Sequence, residues 1–171
     1  MRTIVLGAAF AMLFSAVWAQ QPAAQNQGQA PKLFASAGDV GALIAKAKSE
    51  RKPDQANFGQ SIVQHAPYTV NLEYRVAGLS QNAAVHEHEA ELFYVVDGSG
   101  TIVTGGKLRD EKRTNAANLQ GSGIDSGTSR HVAKGDFVMV PENTPHWFSQ
   151  IDGTLVLMSL HLPRASANAT P

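Results

Sequence analysis

The run from Val85 to Gly100 (VHEHEAELFYVVDGSG) constrains this chain more than any other stretch. It opens with two imidazoles and a carboxylate, His86, His88 and Glu91, within six residues, and continues into a β-rich segment. Imidazole and carboxylate together are the ligand set of a divalent iron, manganese, nickel, copper or zinc ion. His86 and His88 are two apart, so on an extended strand they share a face. Glu91 lies three beyond His88 and on a regular strand faces the other way. Binding of one ion by all three therefore requires a bend or bulge near Glu89 and Ala90.

A further ligand has to come from elsewhere, and the stretch from Gly135 to Phe148 offers His146. It reads as a short apolar strand, a proline turn, and a histidine entering the next strand. These two segments resemble the motifs of the cupin superfamily. The first motif, HxH, a short gap, E, six residues and G, is met by His86, His88, Glu91 and Gly98. The second, G, five residues, PxG, two residues and H, is met by Gly135, Pro141, Asn143 and His146. Two departures stand out. Only two residues separate His88 from Glu91, and Asn143 replaces the turn glycine, a mild change because Asn tolerates the left-handed conformation. The resemblance covers roughly residues 78–150. It implies an all-β fold, a double-stranded β-helix (jelly-roll) barrel, with a three-His, one-Glu metal site inside, and a homodimer.

Size and composition fit that reading. The chain has 171 residues, enough for one domain with a sizeable core. Its formal charge is zero, so nothing points to nucleic acid or to a polybasic membrane contact. It contains no cysteine, which excludes disulfides, thiolate zinc sites and cysteine nucleophiles.

Residues 1–19 read as a signal peptide: Arg2, an apolar run from Ile4 to Val17, and Val17-Trp18-Ala19 before Gln20. The competing reading is an uncleaved membrane anchor. Cleavage leaves 13 Lys+Arg against 14 Asp+Glu and an exported chain, periplasmic or secreted in a bacterium, with no membrane contact thereafter. Residues 20–34 form a polar lead-in, 35–163 the barrel domain, and 164–171 a polar tail. A helix over about 39–51 is predicted, capped by Asp39, with Val40, Leu43, Ile44 and Ala47 on one face. It covers the barrel or a dimer seam. From Tyr68 the period changes to two, with Val70, Leu72, Tyr74 and Val76 alternating with polar residues. Asp97-Gly98-Ser99-Gly100 and Asp152-Gly153 read as hairpin turns. Residues 105–129 are either a solvated insertion, with an edge strand within 115–124, or a lid over the barrel mouth.

His65, His131 and His161 read as structural or solvent-exposed, and Glu87 and Glu89 as surface charges. If Glu91 and His146 face inward, parity makes Phe93, Val95, Phe148 and Gln150 pocket-lining. The aromatics then either line an apolar cavity for a small ligand or plug the barrel. No catalytic residue beyond the ligands stands out, and neither an HExxH helix nor a GxSxG elbow occurs. Two functions remain. One is a metal-dependent enzyme, dioxygenase-like or an isomerase or lyase, acting on a small organic molecule. The other is a non-catalytic cupin that binds a metal or small ligand.

Overall fold

The alternation beginning at Tyr68 becomes strand in the structure, a computed structural model that describes residues 30–164. The expected signal peptide, nearly all of the lead-in and the tail from residue 165 lie outside the described residues. Among the described residues one helix, α1 (Ala37–Glu50), precedes eleven strands. These are β1 (Asn57–His65), β2 (Tyr68–Val76), β3 (Ala83–His86), β4 (Glu89–Thr104), β5 (Lys107–Arg109) and β6 (Lys112–Arg113). They continue as β7 (Asn118–Gly121), β8 (Gly123–Asp125), β9 (Thr128–Ala133), β10 (Phe137–Val140) and β11 (His146–Pro163). Nine strands form one sheet in the order β1-β2-β11-β3-β7-β6, with β4 joined to β9, β10 and β11; β5 and β8 form a separate ribbon. This is a double-stranded β-helix with one short N-terminal helix, the fold that the resemblance implies.

Two apolar layers hold it together. The inner one joins Phe93, Val95, Ile102, Val132, Val140, Phe148, Ile151, Leu155 and Leu157, all buried. Fully burying such a side chain contributes about 1.5–3 kcal/mol. The outer layer packs Val40, Leu43, Ile44 and Ala47 of α1 against Ile62, Leu72, Tyr74 and Val156. The helix therefore covers the barrel, on the face its sequence predicts. Its start differs from the prediction. Ser36 is the N-cap, and Asp39 closes a capping box by accepting from the Ser36 backbone N–H at 2.7 Å. Strand β1 has no counterpart in the sequence reading: NFGQSIVQH lacks clean alternation, and a register shift between Ser61 and Val63 interrupts it.

The two expected hairpin turns are corners within continuous strands. β4 runs unbroken through Gly98 and β11 through Gly153, with φ of 80° and 76°. A glycine at positive φ bends a strand without ending it, which a turn signature alone does not distinguish from a reversal. The two strands pair along both arms, Glu89–Gly98 with Leu155–Pro163 and Gly100–Thr104 with His146–Ile151. Gly98 lies so close to β11 that a Cβ there would sit 1.9 Å from the Thr154 carbonyl oxygen. Gly98→Ala is accordingly expected to destabilise the protein by more than about 2 kcal/mol, the left-handed conformation alone costing about 1–2. Chemical denaturation of the two proteins measures the difference.

Candidate metal centre

Three strands bring the site together. His86 ends β3, Glu91 lies near the start of β4, and His146 opens β11. Ligand atoms of these three residues all lie within 4.8 Å of one another. Glu91 is 3% exposed and His146 6% exposed. The Nε2 atoms of His86 and His146 approach Glu91 Oε2 at 3.4 and 3.1 Å. Outside that set, a fourth group reaches the same carboxylate from the far end of β11: His161 Nε2 stands 3.4 Å from Glu91 Oε1. His161 is directly opposite Glu91 in the β4–β11 ladder. From sequence alone His161 reads as structural or exposed, because a lone histidine on a terminal strand carries no motif.

Each imidazole has an acceptor at its other nitrogen. Asn118 Oδ1 lies 2.9 Å from His86 Nδ1, the Thr144 carbonyl oxygen 3.3 Å from His146 Nδ1, and Glu89 Oε1 2.9 Å from His161 Nδ1. These oxygens only accept, so all three rings carry a proton on Nδ1 and direct Nε2 towards Glu91. Asn118 comes from the segment over residues 105–129, whose β7 pairs with β3 and sets Asn118 opposite His86. That segment is thus structured beside the site. Glu89, read from sequence as a surface charge, is half-buried against His161.

The structure does not bring His88 into this group. β3 stops at His86, Glu87 and His88 form a bend, and β4 begins at Glu89. The phase change required for His86 and Glu91 to face together occurs there, two residues before the expected position, and it turns His88 out to solvent. Glu87 pairs with Arg113 at 2.7 Å on the surface. Two residues before His86, on the same strand face, stands Ala84, which pairs with His146. Counted from His86, the gap to Glu91 is four residues rather than the short two, and Ala84 takes the place of the first histidine of an HxH pair.

The pocket expected from parity also changes. Phe93, Val95 and Phe148 are buried to 2% exposure or less, and the two phenyl rings meet edge to face at 5.2 Å. Gln150 is exposed and donates to Asp152 at 2.9 Å, not into a pocket. A register shift between Phe148 and Gln150 inverts the parity there, so Ile151 faces the core instead. Ala84 also borders a polar cavity of about 430 Å³ that Arg75, Gln81 and Gln120 help to line and that none of His86, Glu91, His146 and His161 lines. The Ser159 hydroxyl, one inward-facing position before His161, is buried without a hydrogen-bond partner.

Burial opposes the charge on Glu91, but hydrogen bonds from His146 and His86 outweigh it and hold the carboxyl well below the usual range. Burial likewise opposes a charged His86, and its bonds to Glu91 and Asn118 outweigh that, raising its pKa above 6.5. The centre is a buried carboxylate ringed by imidazoles.

No protein-family model matches the chain. An acireductone dioxygenase from Leptospira biflexa is 31% identical over 123 residues, covering 67% of this chain and 59% of the relative. An acireductone dioxygenase from Leptospira interrogans is 39% identical over 82 residues, covering 45% of this chain and 37% of its own length. The chain thus spans about three-fifths or less of these curated relatives. Among solved structures, TT1209 from Thermus thermophilus aligns with a TM-score of 0.50 at 16% identity, covering 71% of this chain and 95% of its own. The Cnp3 cupin domain of Schizosaccharomyces pombe aligns at 0.49 and 12% identity, covering 67% of this chain and 66% of its own. With both motif segments placed on adjoining strands of one double-stranded β-helix, the chain belongs to the cupin superfamily.

Proposed function

We propose that this chain is an exported, metal-dependent enzyme of the dioxygenase type that acts on a small organic molecule. His86, Glu91 and His146 would hold one divalent ion. The observation that carries this reading is the convergence of imidazole Nε2 atoms on one buried carboxylate, each with its Nδ1 hydrogen-bonded elsewhere. That is the arrangement in which a neutral histidine offers a lone pair to a metal. The unpartnered Ser159 hydroxyl fits a site that accepts a further polar guest. The oxygenase class is supported by the name of the Leptospira relatives.

A bound iron, manganese, nickel or copper ion supplies Lewis acidity and dioxygen chemistry, whereas zinc supplies the first alone. The chain's own residues do the rest. Glu91 places negative charge against the ion, and Asn118 and the Thr144 carbonyl fix the orientation of two ligand rings. Phe93 and Phe148 close the floor and exclude water from below, Phe93 standing 5.8 Å from the His146 ring. The organic molecule would enter by way of the polar cavity that Ala84 borders. Exposed Phe137 and Met139, next to Tyr94 on the outer sheet face, support the homodimer as part of the same reading.

Elemental analysis of the protein purified from its native compartment without chelator tests the centre. One equivalent of a redox-active metal is expected, falling below about a tenth in His86→Ala, Glu91→Ala and His146→Ala and unchanged in His65→Ala. Oxygen uptake with enediol, diketone or phenolic compounds then tests turnover. Zinc redirects the search to isomerase or lyase chemistry, metal without any turnover leaves a binding cupin, and a folded metal-free protein removes the proposal. An N-terminus at Gln20 in that preparation is the expected sign of export.

The raised pKa of His86 adds a pH dependence. A group whose folded value exceeds its unfolded value stabilises the fold fully below the unfolded value, near 6.5, and loses that contribution as pH rises through the folded one. The thermal midpoint of metal-free protein is expected to fall as pH climbs from about 6 into the alkaline range, and to fall less in His86→Gln. Metal affinity is expected to rise over the same interval, because the ion displaces the Nε2 proton. Differential scanning calorimetry and a chelator competition at several pH values measure the two trends.

A further inference from the structure

A three-ligand centre leaves His161 without a role, although its surroundings are built as carefully as those of the others. We propose that His161 Nε2 is the fourth ligand of the ion held by His86, Glu91 and His146, and that Glu89 positions it. The inference rests on the metal reading above.

Register places His161 directly across β4 from Glu91, on the inward face that also carries Leu157 and Ser159. Its Nε2 lies 3.4 Å from Glu91 Oε1, the oxygen that His86 and His146 leave free. Its ring stands edge-on to the His86 ring at 4.9 Å between centroids. At the other nitrogen, Glu89 Oε1 accepts from Nδ1 at 2.9 Å. A carboxylate in that position fixes the tautomer, orients the ring and raises the basicity of Nε2. The pair is only 19% and 28% exposed, so neither member is a freely solvated surface charge. A second grouping of possible ligands, His86, Glu89 and His161, uses the Nδ1 side of the rings. Asn118 already holds His86 there, which leaves Glu89 as a partner of His161 rather than a ligand of a second ion.

The strand faces supply an independent argument. Ala84 stands on β3 where the partner histidine of His86 would lie, so that strand has one imidazole instead of two. His88 cannot replace it, being exposed on the bend between β3 and β4. The last strand returns the missing donor at position 161. The ion would therefore keep three nitrogens and one carboxylate, with the third nitrogen moved from β3 to β11.

The test uses the full chain, stripped with a chelator and reloaded with Cu(II). Electron paramagnetic resonance counts coordinated imidazoles through nitrogen hyperfine structure, and competition with a chelator gives affinity. Wild type is expected to show three nitrogens and His161→Ala two, with affinity lowered more than about 100-fold, beyond the 10- to 100-fold typical of outer-sphere partners. Glu89→Ala is expected to lose at least about tenfold while keeping three nitrogens, and Glu89→Gln, which retains an acceptor oxygen, to recover most of that loss. His88→Ala is expected to match wild type. Where His161→Ala fails to fold, His161→Gln and the double variant Ala84→His with His161→Gln take its place, the double variant regaining the third nitrogen. Three nitrogens and unaltered affinity in the folded His161 variant overturn the inference and leave the three-residue centre standing. A wild-type protein that binds no Cu(II) overturns the metal reading and this inference together.

Discussion

Strands β4 and β11 lie antiparallel along both arms, and each bends at a glycine, Gly98 in one and Gly153 in the other. The ladder is interrupted at the corner, where residues 152–154 have no partner in β4, and resumes with Leu155 opposite Gly98, so each strand serves both parts of the barrel. The register of this ladder decides which side chains meet. At one end it sets Glu91 against His161, and at the other His146 against Thr104. β3 then pairs with β11 at a single position, Ala84 with His146, which brings His86 in from the third strand. The turn carrying the second motif is tied down by one further bond, from the Asn143 N–H to the His86 carbonyl oxygen at 2.7 Å. Asn143 adopts a φ of 54° to make it, the conformation that Asn tolerates better than other non-glycine residues. The site is therefore as rigid as the backbone pairing that assembles it.

The same pairing explains what could be read from the sequence and what could not. The fold class was legible because two motifs occur in order with nearly intact spacings, and the apolar face of α1 because its period is local. His86, Glu91 and His146 followed from those motifs. His161 did not, since its facing depends on the extra residue that β11 carries between Phe148 and Gln150, which inverts the parity of everything after it. Parity cannot be carried across bulges whose number is unknown, and Gln150 was misplaced for the same reason. His88 was misplaced because a bend can be required by the chemistry without its position being specified. Asn118 lies in a polar stretch with no periodic signal, and only its pairing with β3 gives it meaning.

Electrostatics divide the barrel interior into two polar centres separated by packed rings. Glu91 sits among imidazoles at one, and Glu73 pairs with Arg75 at 2.5 Å at the other. A carboxylate buried without partners costs several kcal/mol, so each must be compensated locally. The two compensations differ in kind. Arg75 is a permanent cation, further held by Gln81 at 3.0 Å and stacked 4.7 Å from the centre of the Phe148 ring. The imidazoles around Glu91 turn nitrogens to it that a metal could bind in place of a proton. One centre is a fixed strut of the fold, the other an exchangeable one.

Ala84 gives that exchangeable centre a direction. Ala84 stands two residues before His86 on the same strand face, and it borders the polar cavity that Gln81, Gln120 and Arg75 also line. A molecule in that cavity would meet amide and guanidinium groups as well as the Ala84 methyl. Discrimination at such a doorway works through desolvation: guests whose oxygens can be rehydrogen-bonded by Gln81, Gln120 and Arg75 enter at little cost, and greasy ones gain nothing by leaving water. The loss of one side chain can thus act as a filter on chemistry while leaving the ring of donors intact.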